Sequence, residues 1–326
     1  MNFRKNRAVF VLLNMAILSL SFYFGCQEKQ QKVDLYVDAV MLSELDRYEM
    51  AIEKLKEVIK SDQNFPDAYS LLGRMYEKTQ DYEKSAAAYE KGIELNPWSF
   101  QDHFSLGRVY QCMKKFKLAT DMYSRACELK PDNLEVHINA ARCFCEIGDF
   151  DKALRYGLLS EQIGPNASEV YELLAIIYEQ RKDYDQAIES YKHALAIDAD
   201  SSKIMTSLAE LYLTVEKYDN ARDLFISLIK INSMDVVAYR HLAYCYLRLN
   251  DADKAIENYS RAVEIDHNDW EAHKGLGVAY ILKARGMEDE LLKLKAVEHW
   301  RLSLTIEPNQ PNRETLVELI KKHTKQ

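Results

Sequence analysis

Residues Leu71–Pro97 read LLGRMYEKTQDYEKSAAAYEKGIELNP, and 34 residues further on Ser105–Pro131 read SLGRVYQCMKKFKLATDMYSRACELKP. In the first stretch, together with Tyr69, the residues Leu72, Gly73 and Tyr76 fall at i+3, i+4 and i+7, which places them on one face of a helix. Thr79, Gln80 and Asp81 form a short polar turn. Ser85, Ala88, Tyr89 and Gly92 then repeat the helical spacing, and Pro97 ends the unit. Gly73 and Ser85 carry little side chain, so two helices can approach closely there. Tyr76, Tyr82 and Tyr89 fill the space that remains, their hydroxyls reaching water or a carbonyl. The spelling predicts a helical hairpin that stacks on copies of itself.

The same positions recur along nearly the whole chain. Small residues stand at Ala39, Gly73, Gly107, Ala141, Ala175, Ala209, Ala243 and Gly277, each step being 34. A second small series runs Ala51, Ser85, Ala119, Ala153, Ala187, Ala221, Ala255. An aromatic series runs Tyr76, Tyr110, Phe144, Tyr178, Tyr212, Tyr246, Tyr280, and Pro97, Pro131 and Pro165 close three units. Composition agrees: the 326 residues are 48% hydrophobic and hold only 10 Gly and 6 Pro, too few for a turn-rich sheet protein. Net charge is -8 and no long basic block appears, which argues against nucleic acid as a partner.

This pattern resembles the tetratricopeptide repeat. Eight units are placed at 32–65, 66–99, 100–133, 134–167, 168–201, 202–235, 236–269 and 270–310. The eighth is stretched by seven residues, its second-helix alanine being Ala296, and the insertion around KARGMEDELLKLK is expected to lengthen the hairpin. Residues 311–326 read as an amphipathic capping helix in which Leu316, Leu319 and Ile320 cover the last hairpin. The resemblance implies an all-α solenoid wound as a right-handed superhelix. It also implies that the first helix of each unit lines a concave groove that binds peptides or protein segments.

On that resemblance the groove carries two kinds of surface. Arg74, Arg108 and Arg142 share one repeat position and form a row of guanidinium groups able to hold an acidic peptide or a carboxylate. They equally fit a solvated face, because Glu77 follows Arg74 by three residues and Glu146 follows Arg142 by four. Further along, Tyr244 and Val278 replace the arginine, and Leu213, Leu247 and Ile281 line the next turn, flanked by Arg240 and Arg248. Such residues suit a buried partner segment. They also suit packing on the inserted part of the eighth unit, or closure of the superhelix over them. The position that carries a ladder of asparagines or a carboxylate clamp in some relatives reads Leu71, Ser105, Asn139, Leu173, Ser207, His241, so neither activity is carried over.

The N-terminus is of another kind. MNFRKNR carries Arg4, Lys5 and Arg7, and 18 uncharged residues follow up to Gly25, before Cys26. A basic start and an apolar run form an export signal. The Gly25-Cys26 junction resembles a bacterial lipoprotein signal over 1–25, with Cys26 lipidated and 26–31 a short tether, although Tyr23 and Phe24 depart from that pattern. An uncleaved membrane anchor and ordinary secretion are the alternatives. Each puts the body outside the cytoplasm, since positive residues stay inside. Loss of 1–25 removes Arg4, Lys5 and Arg7 and takes the net charge from -8 to -11.

Catalytic chemistry finds no foothold in the sequence. Apart from Cys26, the cysteines Cys112, Cys127, Cys143, Cys145 and Cys245 are odd in number and read as small buried residues, with an inter-repeat bridge such as Cys112 to Cys145 or Cys127 to Cys143 as the alternative. His103, His137 and His273 share a repeat position on different hairpins and read as packing residues, so no metal site is expected. No nucleophile triad, metalloprotease helix or phosphate loop is present, and no enzyme or cofactor is expected. Together the resemblances to tetratricopeptide repeats and to bacterial lipoproteins imply a membrane-tethered bacterial scaffold for a protein partner in envelope assembly. Two other roles are compatible with it, a surface lipoprotein that contacts host molecules and an accessory subunit of a cell-wall enzyme.

Overall fold

The computed structural model describes residues 31–285 and 289–324. The lipidation candidate Cys26 and the signal segment 1–25 lie outside them. Among the described residues the structure is all-α, with no strand. The chain divides into two compact units, Met1–Gly164 and Pro165–Gln326.

The first unit holds α1 (31–44), α2 (Tyr48–Ser61), α3 (Pro66–Lys78), α4 (Tyr82–Leu95), α5 (Phe100–Cys112), α6 (Phe116–Leu129), α7 (Leu134–Glu146) and α8 (Phe150–Ile163). The second holds α9 (Ser168–Gln180), α10 (Tyr184–Ile197), α11 (Ser202–Thr214), α12 (Tyr218–Ile231), α13 (Val236–Arg248), α14 (Ala252–Ile265), α15 (Trp270–Lys283), α16 (Glu290–Ile306) and α17 (Arg313–Thr324). Each odd helix packs on the even helix that follows, and within each unit each even helix packs on the next odd one.

The turn inside each of the first seven hairpins has one recurring geometry. Asp46, Gln80, Lys114, Gly148, Lys182, Glu216 and Asn250, spaced by 34, all take the left-handed conformation. The amide of the next residue then reaches back to a carbonyl near the end of the first helix, as from Asp81 to Tyr76 at 2.9 Å and from Asp251 to Tyr246 at 2.8 Å. This is the motif that satisfies the last carbonyls of a helix. Aspartate then caps the second helix at Asp81, Asp149, Asp183 and Asp251, each accepting from a backbone amide three residues on.

The small residues act by contact. A β-carbon at Gly73 would stand 2.8 Å from the Tyr89 ring, and one at Gly107 equally close to Tyr123. Ser85 sends its hydroxyl to the Gly73 carbonyl at 2.7 Å, tying the two helices of the hairpin together. The last hairpin takes up its insertion in three places. The helix α15 has 14 residues against the usual 13, α16 has 17 against 14, and the rest falls in the connection. Trp300 is fully buried on Ala296 and Leu316, with Leu319 and Ile320 packed beside them, so α17 covers the end of the second unit.

Candidate functional site

Three first helices of the second unit, α11, α13 and α15, present equivalent positions side by side, and α17 stands across from them. Between them lies a cavity of about 730 Å3. Leu213 of α11 and Leu247 of α13 line it, one repeat apart. Tyr244 and Val278, again one repeat apart, line its open part, and Thr315, Leu316 and Leu319 supply the α17 wall. Gly275 matters here because a side chain at that place would meet the Tyr259 ring, which reaches the cavity from α14. One repeat earlier the same position is His241, stacked on Phe225 with ring centres 5.3 Å apart.

The charges around the cavity are already spent. Arg240 donates to both carboxylate oxygens of Asp269, at 2.9 and 3.1 Å, and lies 2.8 Å from Glu271. Asp269 is buried and also caps α15 by accepting from the Ala272 amide at 3.0 Å. Lys274 lies over the Trp270 ring at 4.6 Å. Burial, and then the neighbouring Arg240, lower the pKa of His241, which favours its neutral form. Burial raises the pKa of Tyr259. What the cavity offers a ligand is mostly apolar surface with a polar rim in which Arg240 is already neutralised.

The residues expected to form this surface are divided by the structure. Leu213, Arg240, Tyr244, Leu247 and Val278 meet in the one cavity. Ile281 turns instead toward the core under α17 and a smaller neighbouring cavity that it shares with Val278. Arg248 lies outside the lining: it donates to the Tyr244 hydroxyl at 2.9 Å and stacks 4.5 Å from the Tyr218 ring. The lining also includes His241, Tyr259, Glu271, Lys274, Gly275 and residues of α17 that the sequence reading had not assigned to a groove. The 34-residue step from Arg240 and His241 points to Lys274 and Gly275; α17 lies outside the repeat, and no such step reaches it.

Arg74, Arg108 and Arg142 are exposed at matching places on α3, α5 and α7 of the first unit. Glu77 pairs with Arg108 of the following repeat rather than with Arg74 three residues before it. Arg108 also lies 5.8 Å from the Phe104 ring.

The cysteines Cys112, Cys127, Cys143, Cys145 and Cys245 are free thiols. The His273 and His299 rings stack in the last hairpin with their Nδ1 atoms 2.9 Å apart. Among the described residues no cluster of three or more His, Cys, Asp or Glu is placed to hold a metal, and no helix is long and apolar enough to cross a membrane.

A family model described as TPR repeat matches residues 244–283, and three described as tetratricopeptide repeat match 66–97, 149–202 and 178–243. The structure is similar to that of pilF of Pseudomonas aeruginosa, with a TM-score of 0.50 and 22% identity over 65% of this chain and 96% of that one. It is similar as well to a tetratricopeptide repeat protein from Parabacteroides merdae, with a TM-score of 0.53 and 17% identity over 80% of this chain and 99% of that one. At these identities the likeness speaks for the fold. No curated protein matches the sequence. With the 34-residue hairpins and their stacking, these matches make the chain a tetratricopeptide repeat protein, an all-α solenoid of the kind that serves as a protein–protein interaction scaffold.

Proposed function

We propose that the protein is a scaffold tethered to the membrane of a bacterium and held outside the cytoplasm, where it binds an apolar segment of an envelope protein in the cavity of its second unit. The observation that carries the binding reading is that cavity, about 730 Å3 of mostly apolar lining in which Arg240 is already paired with Asp269 and Glu271. A volume of that size takes a cluster of a few side chains. Its occupant presents aliphatic or aromatic groups and leaves its own charges at the rim. Tethering rests on the basic start and the uncharged run before Cys26. No catalytic role and no cofactor are assigned to the protein.

The test is cross-linking in living cells followed by mass spectrometry of the captured proteins. Wild type is compared with a Tyr244→Ala, Val278→Asp variant and with an Arg74→Glu, Arg108→Glu, Arg142→Glu variant. All five side chains are exposed, so the fold should survive, and circular dichroism checks this. The cavity variant is expected to lose the partner by about tenfold or more, the usual scale for anchoring contacts. Loss in the arginine variant with retention in the cavity variant would move the site to the first unit.

A further inference from the structure

The first helix carries an apolar face that nothing among the described residues covers. Val33, Val37 and Met41 recur every four residues, and Leu45 follows in the adjoining turn. They are 46%, 47%, 58% and 65% exposed. A four-residue step drifts only about 40° around a helix, so the three helical residues form one stripe. The rest of α1 is used for packing: Ala39 is buried, and Leu35, Tyr36, Val40 and Leu42 rest on the core of α2 and α3. At the other end of the chain α17 closes the stack and places Lys321 and Lys322 in solvent. A repeat stack needs such a polar outer face at each end. On the α1 end that face is apolar along the Val33–Val37–Met41 stripe.

The chain before α1 identifies what covers it. Five residues, 26–30, separate the uncharged run from the start of the helix. Fully extended they reach about 18 Å. A membrane that receives the run therefore lies beside α1. We propose that α1 rests its Val33–Val37–Met41 stripe on the lipid surface, so that the first repeat is docked on the bilayer in addition to being tied to it. This rests on the tether proposed above.

The charges around the stripe are consistent with lipid and not with a second copy. Asp38 borders it and Glu44 continues it one turn beyond Met41, while Lys32 is turned away to Asp62 at 2.6 Å. Two such faces in contact would oppose like charges. The same acidic border makes a zwitterionic surface a better support than an anionic one, the reverse of basic surface helices.

The test uses the full chain in phosphatidylcholine vesicles that contain a lipid with a photoreactive acyl chain. Flotation reports the tether, and mass spectrometry locates the cross-linked residues. Floating protein labelled within 33–45 is expected. In a Val37→Lys, Met41→Lys variant, whose changed side chains are exposed, flotation should persist while that label falls several-fold. The label should also fall when phosphatidylglycerol replaces phosphatidylcholine. A chain that floats with α1 unlabelled, or with α1 cross-linked to a second copy, overturns the docking and leaves the tether standing. Label undiminished in the lysine variant, or rising with phosphatidylglycerol, overturns it too. A chain that does not float removes the tether and the docking together.

Discussion

Arg74, Arg108 and Arg142 in the first unit and Tyr244 and Val278 in the second occupy the same place in the repeat. The backbone treats them alike, each on the exposed side of a first helix. Their surroundings differ. In the first unit the arginine position faces solvent, and Arg108 draws in Glu77 from the neighbouring repeat. In the second, the same position lines a cavity in which the nearby cation, Arg240, is consumed by Asp269 and Glu271. A repeat thus fixes where a side chain stands and leaves its chemistry free, which allows one solenoid to carry a polar surface and an apolar one.

The largest test of the contrast removes a core ring from each unit. Tyr123 and Trp300 fill corresponding space against Gly107 and Gly277 and are both fully buried. Tyr123→Ala and Trp300→Ala should each cost about 3–5 kcal/mol. Hydrogen exchange read peptide by peptide should show each loss confined to its own unit. A Tyr123→Ala loss shared equally by residues 165–326 would break the division into two units.

Acid separates the units by a smaller margin. Burial lowers the pKa of His241 and of His299, the latter lowered further by His273, while in the first unit burial lowers that of His103. A histidine whose folded value lies below its ordinary value is favoured neutral in the native state. Its contribution is present above the ordinary value, about 6.5, and is lost as the pH falls from there through the folded value. Urea unfolding followed in each unit at about pH 7.5 and 5.5 should show the second unit losing more. His299→Asn should narrow the gap, and an unchanged gap would acquit the His273–His299 pair.

The smallest effect sharpens the likeness between hairpins. Gly148 is the one glycine among the seven left-handed turn residues, at φ +77°, and a β-carbon there meets nothing within 4 Å. Gly148→Ala should therefore show the backbone cost alone, about 1 kcal/mol. A much larger loss on chemical denaturation would mean that this turn carries a contact the other six lack.

Much of this was readable from spacing. The Gly73 and Ser85 positions foretold a close helix approach with Tyr89 filling the space beside it, and the structure ties Ser85 to the Gly73 carbonyl and brings the Tyr89 ring to the glycine. Leu316, Leu319 and Ile320 foretold a cap, and they pack around Trp300. Part of the cavity lining was legible: Leu213, Tyr244, Leu247 and Val278 lie on first helices, where the 34-residue step places them side by side. The α17 wall was not legible as part of a groove, because the step ends before it. Nor was the choice of Glu77 for Arg108 over Arg74, since both partners lie within reach on paper and only the spacing of α3 and α5 selects between them.

The sequence by itself determined the repeat, its hairpins, the position of every residue within a unit and the unusual N-terminus. Those follow from helical periodicity and the volume of side chains at contacts that recur, which are local and repeated quantities. The tertiary structure alone decided which charges are neutralised, as with Arg240 on Asp269, and that α17 turns an open row of apolar residues into a cavity. Both depend on distances between helices far apart in sequence, and a periodic pattern carries no record of those.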